Sequence, residues 1–246
     1  MTSKKLCVFL LLSIVYVESK DLPKYLKDLR CSKSSKDLYD CFLKNGNIAI
    51  PLVAKGDPEY NIPKMNPMEI PFVQLISSPT LNINITKVKV HGLDKLKLVD
   101  IKLIIDKGLY THIFKGESVV IEGEYTADGH ILVMPVKGHG HFKMNLKNGV
   151  YKATNLLDTY EKDNEEWWKV RESKLDYAFD KIEFDLDNLF EGNKDLGATI
   201  NKFLNENWDL LVVDFGPGIA KTISNLYKNI FDQFCAQIPA KNFFLD

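Results

Sequence analysis

Two histidines stand two residues apart in "LVMPVKGHGHFKMNL", Leu132 to Leu146, a run that alternates apolar residues with polar ones or glycine. In a strand, residues i and i+2 share a face, so His139 and His141 could together present imidazole nitrogens to a divalent cation. The rest of the run argues otherwise. Lys137 and Lys143 fall on the histidine face and would repel a cation, and no third ligand stands nearby in sequence. Met134, Val136, Gly138, Gly140, Phe142 and Met144 fall on the opposite face. The stretch therefore reads as a wall strand with solvated histidines and an apolar inner surface, and no metal site is expected. Glycines within a strand mark a bulge, a bend or a close backbone approach.

Other chemistry is thinly represented. Carboxylates crowd "DTYEKDNEEWW" and "DLDNLFEG", but such charge runs ordinarily form solvated hairpins or loops. The sequence contains no G-x-S-x-G, no H-E-x-x-H, no phosphate-binding loop and no G-x-G-x-x-G after a strand, so neither catalysis nor a cofactor is predicted. Trp167 and Trp168 follow the acidic run; as neighbours in a strand they point apart, and at most one can line an interior. With 32 basic residues interspersed among 33 acidic ones and a net charge of -1, the chain has no positive field to gather phosphates. Nucleic acid is excluded as a partner.

The chain opens with "MTSKKLCVFLLLSIVYVES", which carries Lys4 and Lys5, an apolar run from Leu6 to Val17, and small residues at Val17 and Ser19. This pattern predicts a secretory signal over residues 1–19, cleaved after Ser19. The apolar run of about a dozen residues is shorter than the roughly 20 needed to cross a bilayer, so no stable membrane insertion is expected. Residues 20–246 are read as one exported domain. Export favours oxidised cysteines: Cys31 and Cys41 enclose the short loop "CSKSSKDLYDC" and are the favoured disulfide. Cys235, in a helical segment, is then a buried free thiol. "NIT", starting at Asn84, is an N-glycosylation sequon.

Periodicity predicts the elements that hold these residues. Leu38, Phe42 and Leu43 mark a short helix around Ser32 to Leu43. "IPLVAKGDPEYNIPKMNPMEIPF" has five prolines and reads as an extended strap laid on the surface. From Leu81 to about Leu186 the period is two, in "LNINITKVKV", "KLKLVDIKLII", "ESVVIEGEY", "HILVMPVKGHGHFKMNL" and "KLDYAFDKIEFDL", with "HGLD", "DKG", "KGES", "ADG" and "KNG" as turns. Short turns between alternating runs make neighbours antiparallel. From Asp195 to Gln237 apolar residues recur at three and four residue steps, predicting one helix of roughly 60 Å, bent or interrupted at "GPG", Gly216 to Gly218. Its apolar face is too wide for a flat sheet. An α+β fold follows, in which a strongly curved antiparallel sheet wraps a long C-terminal helix.

Three stretches together resemble the insect takeout and juvenile-hormone-binding protein family: the cysteine pair followed by the proline-rich strap, "LVMPVKGHGHFKMNL" with its P-[IV]-x-G-x-G style, and "FDLDNLFEGNKDLGATINKFLNENW". The single evident cysteine pair is closer to the takeout branch. The resemblance covers essentially the whole mature chain and implies an elongated internal cavity, with an architecture similar to one half of the bactericidal-permeability-increasing protein. It also implies a secreted, non-enzymatic carrier of a small hydrophobic ligand such as a terpenoid, a fatty acid or a prenylated lipid. Candidate lining residues are then Tyr125, Met134, Phe142 and Met144 on the strands and Phe203, Leu204, Leu211, Phe215 and Ile219 on the helix. The tyrosine hydroxyl is a candidate partner for the ligand's polar end. The alternative is an interaction module with a filled core, whose surface binds a receptor or carrier partner.

Overall fold

A computed structural model describes the backbone of residues 19–78 and 81–246, and the side chains of these except residues 71–78 and 191. The predicted leader lies outside the described residues apart from Ser19. Two long strands form the spine: β4 (Leu109–Ile131) pairs along its length with β5 (Met134–Lys162), as far as Leu156, around a turn at Leu132 and Val133. Four shorter strands and an edge strand complete a seven-stranded antiparallel sheet: β1 (Met68–Ser78), β2 (Leu81–His91), β3 (Lys97–Ile104), β6 (Glu165–Ala178) and β7 (Lys181–Leu186). Its path is β1-β2-β4-β5-β6; β3 pairs with the first half of β4, and β7 pairs with the middle of β5.

Two of the predicted turns do connect strands: Gly92, in "HGLD", and Gly108, in "DKG", adopt positive φ, the first leading into a short 3-10 turn and the second out of one. "KGES", "ADG" and "KNG" do not end strands, because β4 and β5 run through them. "KGES" and "KNG" instead meet at a crease. Gly116 faces Gly149 and Ser118 faces Lys147, while Glu117 and Asn148 between them drop out of the pairing and Asn148 adopts a φ of 50°.

Across the crease the inward set changes on both strands. On β5 it passes from even residues, Phe142, Met144 and Leu146, to odd ones, Tyr151 and Leu157; on β4 it passes from Tyr110 to Val119, Ile121 and Tyr125. Because both strands switch together, the register is preserved. The predicted single strand "KLDYAFDKIEFDL" breaks on the same line: β6 ends at Ala178, β7 begins at Lys181, and Asn148 Nδ2 donates to Asp180 Oδ2 at 2.9 Å. The break between β2 and β3 continues it. A regular pleat obliges the apolar set to stay on one face, so a curling sheet whose sequence phase slips must fold along such a line.

The long helix is two helices, α3 (Lys194–Glu206) and α4 (Trp208–Cys235), and the interruption falls at Asn207 rather than at Gly216 to Gly218. Asn207 leaves helical geometry with φ at -117°, and both its backbone N–H and its Nδ2 donate to the Phe203 carbonyl, closing the end of α3. Pro217 is absorbed within α4. Gly216 is where the helix meets β6: a Cβ there would lie 1.9 Å from the Tyr177 hydroxyl.

Near the N-terminus, α1 (Lys24–Lys27) is a single turn and α2 runs from Leu38 to Val53, later than the predicted span and through Pro51. A proline so near the helix end forfeits only one backbone bond. The strap is thus extended only in part. Beyond α2 it carries Tyr60 and Ile62 into a small core with Leu22 and Ile238.

Candidate functional site

Between the concave face of the sheet and the helices lies an apolar cavity of about 200 Å³. Its walls come from β2 (Ile83, Ile85), β4 (Ile121, Tyr125), β5 (Phe142, Met144), β6 (Leu175, Tyr177), β7 (Ile182, Phe184) and the two helices (Leu204, Leu211, Phe215, Ile219). The polar groups among these walls are tyrosine hydroxyls.

Seven of the nine residues expected to line such a space do so: Tyr125, Phe142, Met144, Leu204, Leu211, Phe215 and Ile219. Met134 and Phe203 do not; both pack against the core that surrounds the cavity. Met134 pairs with Ile131 at the tip of the β4–β5 hairpin, one end of that core, although it shares the inward parity of Phe142. Phe203 precedes Leu204 on α3, and successive helical residues are turned about 100° apart. Tyr125 offers its ring only: its hydroxyl is engaged, donating to the Asp187 carbonyl at 2.6 Å.

That contact explains the glycines of the opening stretch. Tyr125 pairs with Gly140, where a Cβ would lie 2.7 Å from the Asp187 carbonyl oxygen. At Gly138 a Cβ would lie 2.8 Å from the Asn188 carbonyl oxygen. The chain leaving β7 passes directly over both, which is the close approach that residues without a Cβ permit.

The histidines face outward as the alternation requires. The His141 side chain is 74% exposed, and its Nδ1 lies 3.3 Å from an Asp187 carboxylate oxygen. No cluster of three metal-binding groups occurs among the described residues. A groove of about 460 Å³ crosses this outer face. Its charges alternate in sign and pair across strands, as Lys87 does with Glu124 at 2.8 Å, so it is a solvated charge ladder. Trp167 and Trp168 point apart, and neither lines the cavity. Trp168 stacks on Phe243 with ring centroids 4.8 Å apart, while Trp167 is buried on the other face beneath the Lys162 ammonium.

The family model described as haemolymph juvenile hormone binding protein matches residues 6–245. The chain belongs to that family. Members of the juvenile hormone binding protein family are binding proteins rather than enzymes. Among its relatives, the circadian clock-controlled protein daywake of Drosophila yakuba is 22% identical over 237 residues, covering 92% of this chain and 89% of the relative. The daywake protein of Drosophila melanogaster matches with the same identity and coverage. The crystal structure of Epiphyas postvittana Takeout 1 superposes with a TM-score of 0.80 at 22% identity, covering 88% of this chain and 99% of that one. This chain and Takeout 1 share one fold.

Within this juvenile hormone binding protein fold, Cys31 and Cys41 form a disulfide and Cys235 is a buried free thiol. No helix among the described residues is long and apolar enough to cross a membrane. Sequence reasoning missed the lining contributed by Tyr151, Leu175, Tyr177 and Phe179. The available signal was the pair of glycine-containing runs at the crease, which mark where the inward parity changes.

Proposed function

We propose that the protein is an exported carrier that sequesters a small hydrophobic ligand, a terpenoid, fatty acid or prenylated lipid, and releases it unchanged. The observation that carries this reading is the apolar cavity bounded by sheet and helix together. It exceeds the roughly 150 Å³ sufficient for an apolar cavity to hold benzene, and flexible Met144 in its wall can yield to a longer chain. Tyr125, Phe142, Met144, Leu204, Leu211, Phe215 and Ile219 make the contacts. Burying about fifteen carbons contributes roughly 12 kcal/mol gross, from which several kcal/mol of immobilisation cost are subtracted. Micromolar binding needs no further machinery. Export through cleavage after Ser19 and glycosylation at Asn84, whose side chain lies on the outer parity of β2, belong to the same reading.

The cavity weighs against the alternative of an interaction module with a filled core. Solvent extraction of the purified protein followed by mass spectrometry is the test, with titration of a fluorescent fatty-acid probe beside it. A co-purified lipid or saturable probe binding is expected. Absence of both a co-purified lipid and probe binding refutes the carrier.

A further inference from the structure

The walls of the cavity are joined to one another in two ways. Strands β2, β4, β5 and β7 are sewn together by backbone ladders. The seam between β7 and α3 is closed instead by two asparagine side chains. Asn205 Oδ1 accepts from the Phe184 N–H at 2.8 Å, and its Nδ2 donates to the Phe184 carbonyl at 2.7 Å. Asn201 serves Leu186 in the same way, at 2.9 Å and 2.8 Å. Each amide offers the edge strand the acceptor and donor that a neighbouring strand would present. The spacing permits it, because two strand residues advance about 6.8 Å and four helical residues about 6 Å.

Phe184, Leu186 and Leu204 all line the cavity, so this seam is part of its wall. It is lightly held. Of the 13 residues of α3, Ile200 and Leu204 are the buried ones, and Leu196 is 47% exposed. Non-helical joints flank the helix: Phe190 and Gly192 before it, with φ of 50° and 86°, and Asn207 after it. Lys181 Nζ adds one bond to the Asn205 carbonyl at 3.2 Å, close to the second joint. If α3 lifts, the amides and the strand groups they leave take up water, a small net loss, whereas parting a ladder would strip many backbone groups at once. Elements with few buried apolar contacts are the ones that open locally.

We propose that α3 is a lid with Asn201 and Asn205 as its latch: swinging on the Asn207 joint away from the edge of β7, it opens a slot beside Phe184, Leu186 and Leu204 through which the hydrophobic ligand enters and leaves. This rests on the carrier reading and adds the route. Neither asparagine lines the cavity, so both are positioning residues that act through the helix. The lid is shut in the empty and in the filled protein alike, and opening is a minor state of each. Weakening the latch therefore raises the rates of entry and exit together and leaves their ratio, the affinity, in place. The molecule carries its own control. Asn47 of α2 makes the same two bonds to Leu98 on the edge of β3, at 2.8 Å and 2.9 Å, at a seam where neither residue lines the cavity.

The test follows a dansyl-labelled undecanoic acid by stopped-flow fluorescence on the full mature chain, comparing wild type with Asn201→Ala, Asn205→Ala and Asn47→Ala. Each α3 substitution is expected to speed association and dissociation alike by about tenfold, the size expected for two hydrogen bonds whose partners find water, and to leave Kd within about twofold. Asn47→Ala should leave both rates unchanged. Rates unmoved by the α3 substitutions, a changed Kd without parallel changes in both rates, or equal acceleration by Asn47→Ala overturns the lid and leaves the carrier standing. Hydrogen exchange on wild type requires no substitution. The amides of Phe184 and Leu186 should exchange together with α3 and ahead of those of Glu183 and Asp185, whose N–H groups point the other way, to β5. Exchange of all four in step overturns the lid as well. Failure of wild type to bind the probe overturns the carrier reading, and the lid with it.

Discussion

On one side of the crease, Leu81, Ile85, Val136, Phe142, Ile200 and Leu204 form a core of hydrocarbon, and the polar group at its wall, the Tyr125 hydroxyl, is paired. On the other side, the same two strands carry His112, Tyr151 and Asn155 inward with polar atoms left unpaired. The ends are also closed differently. The near end is shut by its own hairpin and α3. The far end is closed by segments remote in sequence: Trp168, Val170 and Tyr110 meet Phe42 from α2, and Phe243 and Phe244 from the chain's tail. Smooth packing and internal closure go together at one end; at the other, polar interior groups coincide with a wall assembled from distant pieces.

This contrast can be broken most severely at the far wall. Trp168→Ala is expected to cost about 4 kcal/mol, the usual penalty for emptying a buried aromatic site, seen as a lower urea midpoint. Removing the disulfide with Cys41→Ser should cost about 3 kcal/mol, because the bridge closes a loop of sequence separation 10 that helps seat α2 at this end. Both losses should loosen the Phe243 and Phe244 region in hydrogen exchange before they affect the near end.

A smaller effect follows from pH. His112 titrates at about 4 in the folded chain against 6.5 unfolded, solely because burial disfavours its charged form. Between these values the unfolded chain takes up a proton that the folded one refuses. Its contribution is therefore complete above about pH 6.5 and is lost as pH falls toward 4. Between pH 7 and pH 5 the loss is about 2 kcal/mol, and His112→Phe should flatten that part of the stability profile. The smallest effect separates two tyrosines of one wall. Tyr125→Phe should cost about 1 kcal/mol in the urea midpoint by releasing the Asp187 carbonyl. Tyr151→Phe, which removes an unpaired hydroxyl, should leave the midpoint unlowered.

The near end was largely legible in the sequence. Its strands keep a strict alternation through Phe142 and Met144, and the helix residues Leu204, Leu211, Phe215 and Ile219 follow at helical spacing. Six of the cavity's wall residues could be picked from those two patterns alone, with Tyr125 the seventh. The far end was hidden because parity changes at Glu117 and Asn148, where turn-like composition looked like the end of a strand. Asn155, as a polar residue in an alternating run, reads as solvent-facing until that slip is known. The helix break at Asn207 was missed for a similar reason. Gly216 to Gly218 contains the stronger breakers by type, but the side chain of Asn207 supplies an alternative partner for the Phe203 carbonyl, and composition does not show that.

One consequence of the spine remains. Strands of 23 and 29 residues traverse both ends, and their ladder misses only the Glu117 and Asn148 pair at the crease. Neither end owns its backbone, so a guest in the cavity is felt by the whole ribbon: occupancy should slow amide exchange along the full length of the hairpin, and the two ends respond as a single mechanical body.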